Sequence, residues 1–256
     1  MMDLYVKSLI LQGANPDCTL NESWRYLMDR RNCLYYAIGV NKFNSAKALI
    51  ENGADVFAVS PDYNDEIGPF PFLMACYNRN AIHILRFLLD KGIDINIRYQ
   101  RNESHFEDNW ITGPAYDEVD EFYSPMLTAV RGQNNDAIEL LVAHGYSFID
   151  WEIIWLICTN NDNLTKIAIS KAQLERPILT KYLLTAITAD NNEIVEYILS
   201  LQEELVKNED FLDEAVSKKR VNIIRTLIRK GANAESIGWL RRKFLRSDVL
   251  DALNGK

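Results

Sequence analysis

"LIENGADV", Leu49 to Val56, decides the reading of this chain, because the phrase returns four more times in altered form. It stands as "LILQGANP" at Leu9 to Pro16, "LLDKGIDI" at Leu88 to Ile95, "LVAHGYSF" at Leu141 to Phe148 and "LIRKGANA" at Leu227 to Ala234. Its glycine falls at Gly13, Gly53, Gly92, Gly145 and Gly231, at intervals of 40, 39, 53 and 86 residues. Self-similarity at a spacing of about 20 to 50 residues marks an array of stacked units. In "FNSAKALIENG" and "NNDAIELLVAHG" the apolar side chains recur at helical spacing. The glycine then stops the helix, since it enters the left-handed C′ conformation without a Cβ penalty.

A second signal lies upstream of each stop. "CLYYAIGVNKFN", "FPFLMACYNRNA", "SPMLTAVRGQNND", "YLLTAITADNNE" and "FLDEAVSKKRVN" each carry a small residue (Ala37, Ala75, Ala129, Ala186, Ala215) and then a polar turn. A small side chain there lets two antiparallel helices approach closely. Each unit therefore reads as helix, tight turn, helix, glycine stop, extended loop.

These features resemble the ankyrin repeat, a unit of about 33 residues with T-P-L-H-x-A in its first helix. "SPMLTA" (Ser124 to Ala129), "FPFLMA" (Phe70 to Ala75), Gly53-Ala54-Asp55, Gly231-Ala232-Asn233 and "NNEIVEYIL" (Asn191 to Leu199) carry the match. The resemblance implies an all-α fold: an ankyrin-repeat solenoid of about seven stacked helix-turn-helix units, some degenerate, filling residues 1–256 as one array. Departures are specific. Tyr35, Leu73 and Leu127 stand in place of the family's histidine. Asn32 and Ser124 replace the capping threonine and can still cap, whereas Phe70 cannot. Residues 150–175 read as a shrunken unit with no glycine stop, and Gln202 stands where the next unit's glycine is expected. Residues 1–16 read as an N-terminal half-repeat, and residues 234–256 as a capping unit whose arginines give the array end a polar face.

Net charge is −8, but residues 205–256 carry 12 Lys and Arg against 7 Asp and Glu. The chain is an acidic body with a basic end, which argues against nucleic acid as its overall partner. Four separate cysteines without a C-x-x-C pattern suit a reducing, cytoplasmic compartment. No stretch approaches the roughly 18 apolar residues of a membrane span.

The interval from Gly92 to Gly145 exceeds the others of its kind because Ile97 to Ser124, "IRYQRNESHFEDNWITGPAYDEVDEFYS", is inserted. The insertion holds six aromatics (Tyr99, Phe106, Trp110, Tyr116, Phe122, Tyr123) and seven acids (Glu103, Glu107, Asp108, Asp117, Glu118, Asp120, Glu121) against Arg98 and Arg101. In the family this position is the finger loop toward the concave side. Long loops there cost little in closure entropy and tend to carry function. "FAVSPDYNDEIGPF", Phe57 to Phe70, is a smaller loop of the same kind with Asp62 and Tyr63. The two are expected to be neighbours in one acidic, aromatic surface that binds a protein with a basic patch. Its candidate residues are Asp62, Tyr63, Phe106, Asp108, Trp110, Tyr116, Asp117, Glu118, Asp120, Phe122 and Tyr123. The plainer alternative is an insertion that folds as a hairpin and buries its own aromatics.

Chemistry finds little support. There is no G-x-S-x-G, phosphate-binding glycine loop or H-E-x-x-H. His105 near Glu107 and Asp108 lacks the convergent ligands of a metal site. His83 reads as structural, and His144, next to a glycine stop, as a helix C-terminal residue. "SKKR" (Ser217 to Arg220) and "RRKFLR" (Arg241 to Arg246) read as a solvated turn and cap. The expectation is a non-enzymatic, cofactor-free protein, monomeric by itself, that inhibits or sequesters a protein partner. Its style is similar to ankyrin proteins of large DNA viruses and intracellular bacteria. The rival is an adaptor recruiting a ubiquitin ligase or host factor through its C-terminal end.

Overall fold

The computed structural model describes residues 12–17, 32–60, 67–100, 122–172, 175–238 and 245–255. Thirteen α-helices lie among them, twelve in six consecutive pairs. The contacts divide the chain into two compact units; among the described residues the first ends at Ser147 and the second starts at Phe148.

In the first unit the pairs are α1 (Cys33–Gly39) with α2 (Phe43–Glu51), α3 (Pro71–Tyr77) with α4 (Ile82–Asp90), and α5 (Pro125–Arg131) with α6 (Asn135–Ala143). First helices α1, α3 and α5 pack in succession, as do second helices α2, α4 and α6. Asn32 Oδ1 caps α1 by accepting from Leu34 N at 2.8 Å and Tyr35 N at 3.2 Å, and Ser124 Oγ caps α5 through Leu127 N at 3.2 Å. Phe70 makes no such bond, but Pro71 opens α3 with its φ already set for a helix.

The second unit repeats the arrangement. Its pairs are α7 (Asp150–Cys158) with α8 (Asp162–Lys171), α9 (Arg176–Thr188) with α10 (Asn192–Leu201), and α11 (Glu209–Ser217) with α12 (Val221–Arg229). A last helix, α13 (Ser247–Leu253), packs on α12 and buries Val249, Ala252 and Leu253. Residues 150–172 thus hold a whole pair whose second helix ends at an extended Ala172 rather than a left-handed glycine. Helix α10 ends at Gln202 with φ −146° and passes into a 3-10 turn, Glu203–Lys207.

Gly13, Gly53, Gly92, Gly145 and Gly231 all take the left-handed backbone expected of helix stops, with φ from 73° to 102°. The turn inside five of the six pairs uses the same region without glycine, at Asn41, Gln133, Asn160, Asp190 and Lys219. The five alanines of the close approach are buried.

Neighbouring pairs are also fastened by polar side chains at the start of second helices. Asn78 Nδ2 donates to Ile38 O (3.0 Å) and Gly39 O (2.9 Å), and Asn134 Nδ2 to Cys76 O (2.9 Å). Asn191 Nδ2 donates to Ile157 O (3.3 Å), and Arg220 Nη2 to Thr188 O (2.7 Å). Each bond adds a donor to a carbonyl at the end of the previous first helix, where the intrahelical ladder runs out. Arg220, part of the basic turn, therefore has a structural task.

Candidate partner-binding surface

The described ends of both inserted loops share one aromatic base in the first unit. The base has Phe70, Leu73 and Tyr123 at its buried centre, with Phe57, Ile97 and Tyr99 packed around it. Phe57 meets Phe70 and Phe72 edge-on at 6.1 Å and 5.9 Å, and Phe70 meets Tyr99 at 4.9 Å. Tyr99 and Tyr123 stack at 6.3 Å. Edge-to-face and offset pairs at these distances add specific attraction to plain burial.

Backbone pairing holds each loop shut at its foot. In the larger loop, β1 (Tyr99–Gln100) runs antiparallel to β2 (Phe122–Tyr123), with Tyr99 opposite Tyr123 and Gln100 opposite Phe122. This two-residue pair is the only strand pairing among the described residues, and the rest of the fold is helical as expected. In the smaller loop, Phe72 N donates to Val56 O (3.1 Å) and Ser60 N to Pro69 O (2.9 Å). Ser60 Oγ accepts from Asn32 N at 3.0 Å, and Thr128 Oγ1 donates to Ile67 O at 3.3 Å. Gly68 is the point of closest approach. A Cβ there would stand 2.7 Å from Leu73 Cδ1 and 2.8 Å from Tyr123 Cδ1.

The stalk of the insertion is tied onward to the following loop. Arg98 Nη2 donates to Ser147 O at 2.8 Å, and its guanidinium lies 4.7 Å from the centre of the buried Tyr146 ring. Asn96 Oδ1 accepts from Ser147 N at 2.9 Å. Asp17 Oδ1 makes the matching link earlier, accepting from Asp55 N at 2.8 Å.

Of the expected contact residues, Asp62, Tyr63, Phe106, Asp108, Trp110, Tyr116, Asp117, Glu118 and Asp120 lie outside the described residues, as do His105 and Arg241 to Lys243. Phe122 is placed by its backbone in β2. Tyr123 is 1% exposed, so it anchors the base and does not present its ring to a partner. The hairpin alternative thus describes the foot of the insertion. Sequence reading passed over Arg98, Gly68 and the phenylalanines of the base. The aromatic alternation in "GPFPF" beside "FYSP" was the available signal.

The two described histidines lie away from the aromatic base. His144 caps α6, its Nδ1 at 2.8 Å from Leu140 O, and His83 is exposed on α4. Among the described residues no group of three or more His, Cys, Asp or Glu gathers as metal ligands. No helix among them is long and apolar enough to cross a membrane.

A family model described as ankyrin repeats, in three copies, matches residues 3–99, the stretch whose helix pairs and glycine stops are laid out above. Residues 3–99 thus match ankyrin repeats. An ankyrin repeat protein of Acanthamoeba polyphaga mimivirus is 28% identical over 164 residues, covering 59% of this chain and 48% of the relative. The chain thus spans about half the length of the curated relative it matches. The crystal structure of the human ASB11 ankyrin repeat domain aligns over 99% of this chain and 92% of its own, at 23% identity and a TM-score of 0.39. Ankyrin repeats are a non-enzymatic fold for protein–protein interaction.

Proposed function

We propose that this ankyrin-repeat protein binds, and inhibits or sequesters, a protein with a basic surface through its finger-loop face. The contacting residues are Asp62, Tyr63, Phe106, Asp108, Trp110, Tyr116, Asp117, Glu118, Asp120 and Phe122. One observation carries the reading: both acidic loops begin and end on a single packed aromatic base. A loop fixed at both feet loses less freedom when it binds than one hung from a mobile stem. Aromatic residues between acids supply the anchor and the electrostatic steering such a partner calls for.

The protein acts without a cofactor, as a monomer, in a reducing cytoplasm. The mimivirus relative supports a host cell as that setting. The adaptor reading is weakened at its proposed end, because α13 spends its apolar face on α12.

The test is capture from native lysate by wild type and by Trp110→Ala/Asp117→Ala/Asp120→Ala, with melts confirming equal folding. A discrete partner held by wild type, released by raised salt and missed by the variant supports the reading. The same partner retained by both, or retained at high salt, overturns it.

A further inference from the structure

Two asparagines in this chain are followed by glycine, at Asn52-Gly53 and Asn254-Gly255, and each pair closes a helix. Asn52 follows α2 with φ −103° and ψ 19°, and Asn254 follows α13 with φ −89° and ψ 7°. All four residues are exposed. Both glycines hold left-handed backbone, at φ 91° and 73°. Glycine leaves its backbone nitrogen unshielded by a Cβ, so that nitrogen can reach the side-chain amide before it. By sequence the two sites are alike.

The fold separates them. Asn52 Nδ2 donates to Ala48 O at 2.7 Å, which ties the amide to the last turn of α2. The chain beyond is fastened too: Ala54 N donates to Leu49 O (3.0 Å), Asp55 N to Asp17 Oδ1 (2.8 Å), and Ala54 and Val56 are buried. Turning ψ of Asn52 until Gly53 N meets Cγ would swing Ala54 and Asp55 off these partners. At Asn254 the same rotation meets less resistance. Among the described residues its side chain makes no hydrogen bond, and Gly255 is held by one, from its N to Ala252 O at 3.2 Å. Ala252 and Leu253, the last buried anchors of α13, lie before it. Local opening costs almost nothing where a helix end frays and approaches the full unfolding free energy where a segment is packed.

We propose that Asn254 is a site of spontaneous deamidation in the folded protein, and that the fold shields Asn52 from the same reaction. Gly255 N attacks Asn254 Cγ, the Cγ–Nδ2 bond breaks, and the amide nitrogen leaves as ammonia with the proton that Gly255 N gives up. Water then opens the succinimide at either carbonyl, leaving an aspartyl or an isoaspartyl residue at position 254. Each event adds one negative charge at the C-terminal end of α13, where the helix dipole disfavours it.

Tryptic peptide mapping of the full chain, after incubation at neutral pH either native or in urea, tests this. Cleavage after Lys47 and after Arg246 releases the two asparagines on separate peptides. Product is read from the mass gain of amide to carboxylate and from labelling by an isoaspartyl methyltransferase. In the native chain Asn254 should convert at least several-fold faster than Asn52, and urea should bring the two rates close together. Equal native rates, or a faster Asn52, overturn the proposal. So does a native chain that leaves Asn254 intact while the urea sample converts. A rate ratio unchanged by urea overturns it as well, since flanking sequence rather than the fold would then set the difference.

Discussion

Gly53 and Gly68 both hold left-handed backbone, at φ 91° and 96°, for different reasons. Around Gly53 a Cβ would meet nothing within 4 Å, so only the conformation demands glycine. Gly53→Ala should therefore cost about 1–2 kcal/mol. At Gly68 the same strain is joined by the contacts with Leu73 and Tyr123, and overpacking adds a further ~1–3 kcal/mol. Urea melts should place Gly68→Ala well below Gly53→Ala in midpoint. Equal midpoints would mean that the loop base is not as closely packed as described. At Cys76, full burial pushes the thiol well above its usual range. Cys76 should thus resist thiol reagents until the chain unfolds, which a native-state labelling count checks directly.

At the scale of elements, one asparagine serves two helices. Asn134 Oδ1 caps α6 by accepting from Ala137 N at 3.2 Å, while its Nδ2 satisfies Cys76 O at the end of α3. Asn134→Ala should cost about 2–4 kcal/mol, the sum of a lost cap and a buried carbonyl left open. Asn134→Asp keeps the cap and loses the donor, so it should recover only part of the loss. Full recovery in a denaturant melt would show that the link between pairs contributes nothing. In the second unit, Tyr182 Oη on α9 donates to Asp150 Oδ1 at the start of α7, at 2.8 Å. Burial first, then that bond and the carboxylate charge, hold the phenol well above its usual range. A folded value raised above the unfolded one gives stability that is whole below about pH 10 and falls as pH rises beyond it. Tyr182→Phe should be less stable at neutral pH by ~1 kcal/mol and lose stability less steeply in base. Parallel alkaline melts of the two proteins would contradict this.

At the scale of the whole chain, the helix pairs of the first unit were legible because each is written locally, in an apolar period followed by Gly53, Gly92 or Gly145. The missing glycine near residue 172 and Gln202 were legible as departures, although their replacements, an extended Ala172 and a 3-10 turn, follow from packing rather than a local signal. The loop base was less legible. Tyr123 reads as surface beside so many acids, and only the tertiary meeting of Phe57, Phe70 and Tyr99 buries it.

The central claim is that a rigid base holds up a separable recognition loop, and excision tests it most directly. Gln100 and Phe122 face each other across the antiparallel pair, so residues 101–121 can be replaced by Asn-Gly, a two-residue turn that suits such a closure. Capture from lysate is then compared between the excised and full chains, alongside their melting temperatures. The account predicts an excised protein that melts within a few degrees of the full chain and no longer holds the partner. A partner still captured by the excised chain would contradict it.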